Sequence, residues 1–523
     1  MRRDIPSDAS MIMDDRNLKP YISTEKATEN NEATMKGSMH HDFHAFRSQL
    51  PRIQYDFSEA PTTVEIGRRE AIKAAFRHAW NDGYIPYALG HDELQPISKK
   101  SKDTFGGWGA TLVDGLSTLL TMELHDEFQA ILPELAKINF TVNEPISVFE
   151  STIRYLGGLL SAYEMTDARY PILLQKAEEL GQVLLPAFDT PSGLPPTQWN
   201  PVQGMTPANR TLIAEVGTLQ LELFTLSAHT GDIIYAEKAQ AITDTLRNMG
   251  YEHGMHIPGL YPTGIDTNRG RFMDAMCRVG AMGDSVYEYF LKEYILTDGV
   301  PQFGRLYLQS VDSIKQHMIQ QLPGTELLFL PPFDTKNKRA SNVMDHLTCF
   351  APGMFAIGSR LFDRPEDMDI AKGLLEMCVY MYRSSATGLC PETWTVADAE
   401  PYNPLTYGMS RSQLSQARDW WYGLATTAAP TRTSPQPPPL QPRVNGLQAA
   451  DKRYLLRPET LESIYILYRM TGDKKYQEYG WEIFEALEKW CKTDVAYAAL
   501  RNVEKAPTDH EDRERNQMDS MER

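Results

Sequence analysis

Leu455-Leu456-Arg457-Pro458-Glu459-Thr460-Leu461-Glu462-Ser463 reads as the start of a helix that carries an arginine and two glutamates. Pro458 suits a first helical turn, where its missing N–H leaves no bond unmade. Glu459 and Glu462, three apart, share one face, while Leu461, Ile464, Tyr465 and Tyr468 form an apolar stripe on another. The stripe calls for a packed partner. The acidic face has two readings, attraction of carboxylates to a helix N-terminus or a site, and the flanking sequence must choose between them.

Outward from this stretch the chain repeats one theme of helix, short connection, helix. Apolar spacing predicts helices at Arg69–Trp80 and at 109–122, 124–135, 149–164, 171–187, 209–228, 232–248, 281–295, 302–320, 350–361, 365–382, 458–470 and 473–489, about thirteen in all. Thr230-Gly231-Asp232 and Thr471-Gly472-Asp473 are matching turns, with Gly ending one helix and Asp capping the next. Alternating β patterns are scarce and short. The expected class is all-α, built from paired helices. Residues 1–60 are polar and carry His40, His41 and His44, which reads as a solvated leader rather than a metal site. The ordered domain is expected from 64 to 523, interrupted by a Pro-rich insertion near 428–448.

Composition narrows the function. Acidic residues exceed basic ones, 69 against 52, for a net charge of −17. Nucleic-acid binding rests on clustered Lys and Arg, so no nucleic-acid partner is expected. No apolar run is long enough for a membrane span, and the first residues show no secretion signal. Five cysteines without a CxxC pair make no disulfide scaffold, and Asn139-Phe140-Thr141 and Asn209-Arg210-Thr211 are short glycosylation motifs. Nucleotide-loop, serine-hydrolase and zinc-protease motifs are missing from the sequence.

What remains is a set of polar groups in apolar helical surroundings. Phe149–Tyr163 holds Glu150 and Arg154 at i,i+4, followed by Gly157-Gly158 inside the helix, and paired glycines there point to close backbone packing. Gly280–Tyr289 holds Asp284, which in isolation reads better as the cap of a helix over Ser285–Ile295. His346 lies among apolar residues, as core histidines do. Together, acidic groups on three helices with two arginines and a histidine suit glycosidic bond cleavage, which needs one carboxylic acid and one carboxylate. Trp108, Trp199, Tyr261 and Trp394 are candidates for stacking on sugar faces.

These segments resemble the class I α-1,2-mannosidases, glycoside hydrolase family 47. The resemblance runs in order through Phe76–Trp80, Asp92–Pro96, Thr104–Asp114, Phe149–Tyr163, Gly259–Thr263, Gly280–Tyr289, His346–Phe350 and Leu455–Ser463. It implies an (α/α)7 barrel that removes terminal α-1,2-linked mannose from high-mannose N-glycans with inversion, in the endoplasmic reticulum or Golgi. It further implies a Ca²⁺ ion at the barrel floor and a disulfide between Cys349 and Cys378. By the same resemblance Glu150 is the general acid, Glu459 the base and Asp284 the third catalytic carboxylate. Arg154, His346 and Arg457 line the subsite of the departing mannose, with Glu215 and Glu462 beside them.

The chain departs from that pattern at its end. The family continues with a further helix and a Thr that holds Ca²⁺, whereas here Arg523 follows Glu522. The expectation is a barrel lacking its last helix and calcium-binding tail, with apolar faces left exposed. A catalytically impaired product that binds glycan is then the competing reading.

Overall fold

In this computed structural model residues 50–205, 209–409 and 446–520 are described, together with Gln413 and Val444. Among them are thirteen helices of nine residues or more. They are α1 (Thr63–Arg77), α2 (Ala110–Thr121), α3 (His125–Leu135), α4 (Gly157–Met165), α5 (Pro171–Leu184), α6 (Gln220–Thr230) and α7 (Ile233–Asn248). Then come α8 (Asp284–Leu296), α9 (Pro301–His317), α10 (Ala351–Leu361), α11 (Pro365–Ser384), α12 (Glu459–Thr471) and α13 (Lys475–Trp490).

The two matching turns make helical hairpins by the same chemistry. Gly231 and Gly472 take φ of +75° and +71°, a conformation that lets the helix end and the chain reverse. Asp232 then accepts from Ile234 N–H at 3.1 Å, and Asp473 from Lys475 N–H at 3.0 Å. Hairpin partners pack on each other, as α6 does on α7, α8 on α9, α10 on α11 and α12 on α13. Alternate helices also meet in series, α2 with α4, α4 with α6, α6 with α8, α8 with α10 and α10 with α12, while α1 lies on α13. That is the two-layered helix arrangement of an (α/α) barrel, as expected.

Where the helices depart from the apolar spacing, a tertiary contact explains it. The expected helix at 209–228 is broken, because Arg210–Leu212 pairs instead with Gly264–Asp266. A Cβ on Gly217 would stand 2.4 Å from Val286, so the chain turns here before α6 begins at Gln220. The helix expected to reach 320 ends at His317, since Gln320 and Gln321 join a small sheet with Leu328–Phe329 and Glu400–Pro401. Among the described residues six such sheets of short antiparallel strands occur in the connections.

Three expectations need adjustment. Trp108, Trp199, Tyr261 and Trp394 are all buried and so are not presented for sugar stacking. Tyr465 does not share the packed stripe of α12; it is 63 % exposed, and Thr460, Ser463, Ile464, Leu467 and Met470 form the buried face. Packing also begins upstream of residue 64. Tyr55 N–H donates to the Arg469 carbonyl at 2.8 Å, and the Phe57 ring lies 5.1 Å from Tyr468. The three leader histidines and most of the Pro-rich stretch lie outside the described residues, although Leu447–Asp451 pairs with Thr393–Val396. Among the described residues no helix is long and apolar enough to cross a membrane.

Candidate active site

Glu150 ends a short helical turn, Val148–Glu150, whose first N–H groups would otherwise lack partners; the Ser147 hydroxyl accepts from Glu150 N–H at 3.1 Å. A wider π turn, Ser151–Leu156, leads into α4, and such turns recur at functional sites. Arg154 donates through Nε to Glu150 Oε2 at 2.8 Å and through Nη1 to Asp114 Oδ2 at 3.2 Å. Its guanidinium lies 4.7 Å over the Phe105 ring. Asp114 sits on α2, and α4 reaches α2 because Gly158 has no side chain. A Cβ there would stand 2.8 Å from the Val113 carbonyl.

Beside Glu150 opens a cavity of about 290 Å³ whose walls include Thr104, Phe105, Ser147, Thr197 and Glu215. Glu215 accepts from Thr197 Oγ1 at 2.6 Å and from Leu212 N–H at 3.1 Å. Burial raises its pKa against the pull of those hydrogen bonds, and the charge of Glu150 raises it further. The two carboxyls therefore face each other's field across one cavity.

Asp284 and Glu459 form the second half. A Cβ on Gly280 would collide with Asp345 and Thr348, so a glycine is what allows this segment onto the turn that carries His346. Asp284 opens α8 rather than preceding it, and its Oδ1 accepts from Ser285 N–H at 2.9 Å. Burial, then the charges of Asp345 and Glu288, push its pKa up to about 7. Glu459 opens α12 and is pushed up to about 8, chiefly by burial, with Asp284 and Glu462 adding to the rise and Arg457 opposing it. Its Oε2 has no hydrogen-bond partner among the described residues. Glu462 and Glu288 both lie by Lys292, whose Nζ is 2.5 Å from Glu288 Oε1 and 3.9 Å from Glu462 Oε1.

His346 is fully buried, with Nε2 3.1 Å from Thr460 Oγ1 and 3.0 Å from the Tyr382 hydroxyl. Burial and the charge of Arg457 lower its pKa to about 3, so it is neutral, and Nδ1 has no partner among the described residues. Arg457 in turn is held by Glu392 through two Nε contacts of 2.7 and 2.8 Å and through Nη2.

These side chains thus gather into two groups, Glu150–Arg154–Glu215 and Asp284–Glu459–Arg457–Glu462 with His346. Ala214 N–H, next to Glu215, donates to the carbonyl of Met282, two residues before Asp284, at 3.3 Å, and so joins them. Sequence reasoning missed Asp114, Glu288, Lys292 and Glu392. Glu288 was within reach, since it lies one helical turn after Asp284 and faces the same way; the other partners come from distant segments with no local signal.

Cys349 and Cys378 are joined, with Cα atoms 6.1 Å apart, tying the turn before α10 to α11. Closing a loop of 29 residues contributes about 3.6 kcal/mol on the chain-entropy account. Calcium takes six to eight oxygen ligands. Among the described residues no three His, Cys, Asp or Glu side chains stand together to hold a metal. These residues do not by themselves fit the ion that the resemblance implies.

Comparison with known proteins identifies the relatives of this chain. Residues 75–521 match the family described as Glycosyl hydrolase family 47. The chain is 34 % identical over 456 residues to the probable mannosyl-oligosaccharide alpha-1,2-mannosidase 1B of Aspergillus niger, covering 84 % of this chain and 81 % of that one. It is 33 % identical to the human mannosyl-oligosaccharide 1,2-alpha-mannosidase IB, covering 85 % of this chain and 64 % of the relative. The solved alpha-1,2-mannosidase from Trichoderma reesei superposes with a TM-score of 0.71 at 31 % identity, over 84 % of this chain and 88 % of that one. On the match across residues 75–521 and these likenesses, the chain belongs to glycosyl hydrolase family 47.

Proposed function

We propose that this chain hydrolyses terminal α-1,2-linked mannose from high-mannose N-glycans with inversion, within the endoplasmic reticulum or Golgi. Family membership supports the reaction class, and relatives of both fungal and animal origin carry the mannosidase name. A rat relative at 34 % identity is named for the endoplasmic reticulum. The single observation that carries the reading is the set of carboxyl groups of Glu150, Asp284 and Glu459 on three separate helical segments, Glu150 on the wall of a cavity and Asp284 in the field of Glu459.

Inversion needs an acid on one side of the glycosidic bond and a base that activates water on the other, with roughly 6.5–9.5 Å between their carboxyls. Glu150, gripped by Arg154, is assigned the proton delivery to the departing sugar oxygen. Glu459, with Asp284 in its field, is assigned the water. A general base works best when its pKa lies near the working pH, and values of about 7 and 8 meet that condition. Arg457, fixed by Glu392, supplies donors for the hydroxyls of the mannose ring, and buried, neutral His346 stands behind it with Nε2 on Thr460 Oγ1.

The test is release of mannose from a high-mannose N-glycan, with added Ca²⁺ and with chelator. Release that Glu459→Gln and Glu150→Gln each reduce by about 10²-fold or more supports the assignment. No release under either condition overturns it and leaves glycan binding without hydrolysis.

A further inference from the structure

We propose that Asp92, in none of the roles above, is a positioning residue that sets the geometry of the general-acid helix; the inference rests on the hydrolase reading. The Asp92 side chain is fully buried. Its Oδ2 accepts from Phe105 N–H at 2.7 Å and Gly107 N–H at 2.8 Å. Its Oδ1 accepts from Gly109 N–H at 3.0 Å, Ala110 N–H at 3.1 Å and the Tyr155 hydroxyl at 2.7 Å. Five donors converge on one carboxylate, which is what a buried anion requires.

The loop is built for that convergence. Gly106, Gly107 and Gly109 take φ of +102°, +74° and +78°, conformations that turn successive N–H groups inward around an anion. Ala110 begins α2, so the same carboxylate also satisfies the first donors of the helix that bears Asp114.

Two routes lead from Asp92 to Glu150. One runs through Tyr155, which follows Arg154 on the π turn after Glu150 and whose hydroxyl oxygen also lies 3.2 Å from the Phe105 carbonyl. The other runs through Phe105, whose ring supports the Arg154 guanidinium that holds Glu150. Loosening Asp92 would let the Phe105 wall and the Arg154–Glu150 pair move together. Displacements near 1 Å cost catalysis up to about 10²-fold while binding contacts persist.

Tyr155→Phe removes a single donor and keeps the packing, so it is the informative variant. Asp92→Asn sets an amide N–H₂ against N–H donors and is the severe one. With sites titrated by a mannose-like imino sugar, Tyr155→Phe is expected to lower kcat about tenfold with KM within about twofold, and Asp92→Asn about 10²-fold. A lower melting temperature with unchanged kcat and KM per titrated site would overturn the proposal and leave Asp92 a stability residue. An inactive wild-type enzyme would be a failure of the hydrolase reading instead. The coupling is then read from crystal structures of wild type and Tyr155→Phe superposed on α2, where an unshifted Phe105 ring and Arg154–Glu150 pair overturn it.

Discussion

Arg457 is locked onto Glu392 by a two-pronged ion pair, Nε lying 2.7 Å from Oε1 and 2.8 Å from Oε2, although the residues are 65 apart in sequence. Both side chains are almost enclosed, at 13 % and 11 % exposure. Burial alone would lower the arginine's pKa; Glu392, with Glu459 and Asp345 behind it, reverses that. Glu392 thus fixes where the Arg457 guanidinium, the group proposed to meet the mannose hydroxyls, points.

Glu392→Gln should therefore cost more than a surface ion pair would. Leaving one charge of a buried pair uncompensated costs roughly 3 kcal/mol, readable by denaturant titration. The same variant should raise KM, because Arg457 loses its anchor. A change in stability within about 0.5 kcal/mol, the range of an exposed pair, would contradict the account.

The raised carboxyl pKa values make stability fall with pH. Asp284 and Glu459 titrate near 7 and 8 in the folded state against ordinary values of 3.8 and 4.5. Between those limits the folded chain binds more protons than the unfolded one, so stability decreases as pH rises. The stabilisation is present in full below about pH 4 and lost by about pH 8. Other carboxyls with lowered values, Glu65 and Asp451 among them, titrate below this window. Thermal melts from pH 5 to 8 should decline for the wild type and decline less steeply in Asp284→Asn/Glu459→Gln, where Glu222 and Glu462, also raised to about 7, keep part of the slope.

The two adjacent glycines of the acid helix should respond in opposite directions. Gly158→Ala forces a Cβ against the Val113 carbonyl at 2.8 Å and should cost about 1–3 kcal/mol while reducing activity through displaced Arg154. Gly157→Ala meets Glu222 Oε1 at 3.5 Å, an ordinary contact, and should gain up to about 1 kcal/mol from helix propensity. Equal effects at both positions would show that the α2–α4 approach is not held by Gly158.

Much of this fold was legible because its signals are local. Gly231-Asp232 and Gly472-Asp473 mark the hairpins wherever they occur, and helical apolar spacing survives in nearly every element. The failures are tertiary. Leu212 and Ile213 have helical spacing with Leu219, yet pairing with Gly264 and the approach of Val286 to Gly217 break that helix. Tyr465 fits an apolar stripe in sequence and still points to solvent. The site divides in the same way. Glu150 with Arg154, and Glu459 with Glu462, announce themselves by helical spacing and, above all, by motif. Asp92 and Glu392 act through partners 13 to 65 residues away, and nothing in their immediate sequence states what they hold.

The central claim is inversion by carboxylates of this chain, and proton NMR of the first mannose released from an α-1,2-linked substrate tests it most directly. Attack by water from the face opposite the leaving group predicts β-mannose as the initial product, converting to the α anomer only by later mutarotation. Initial α-mannose would mean a covalent glycosyl intermediate and would contradict the roles given to Glu150, Asp284 and Glu459.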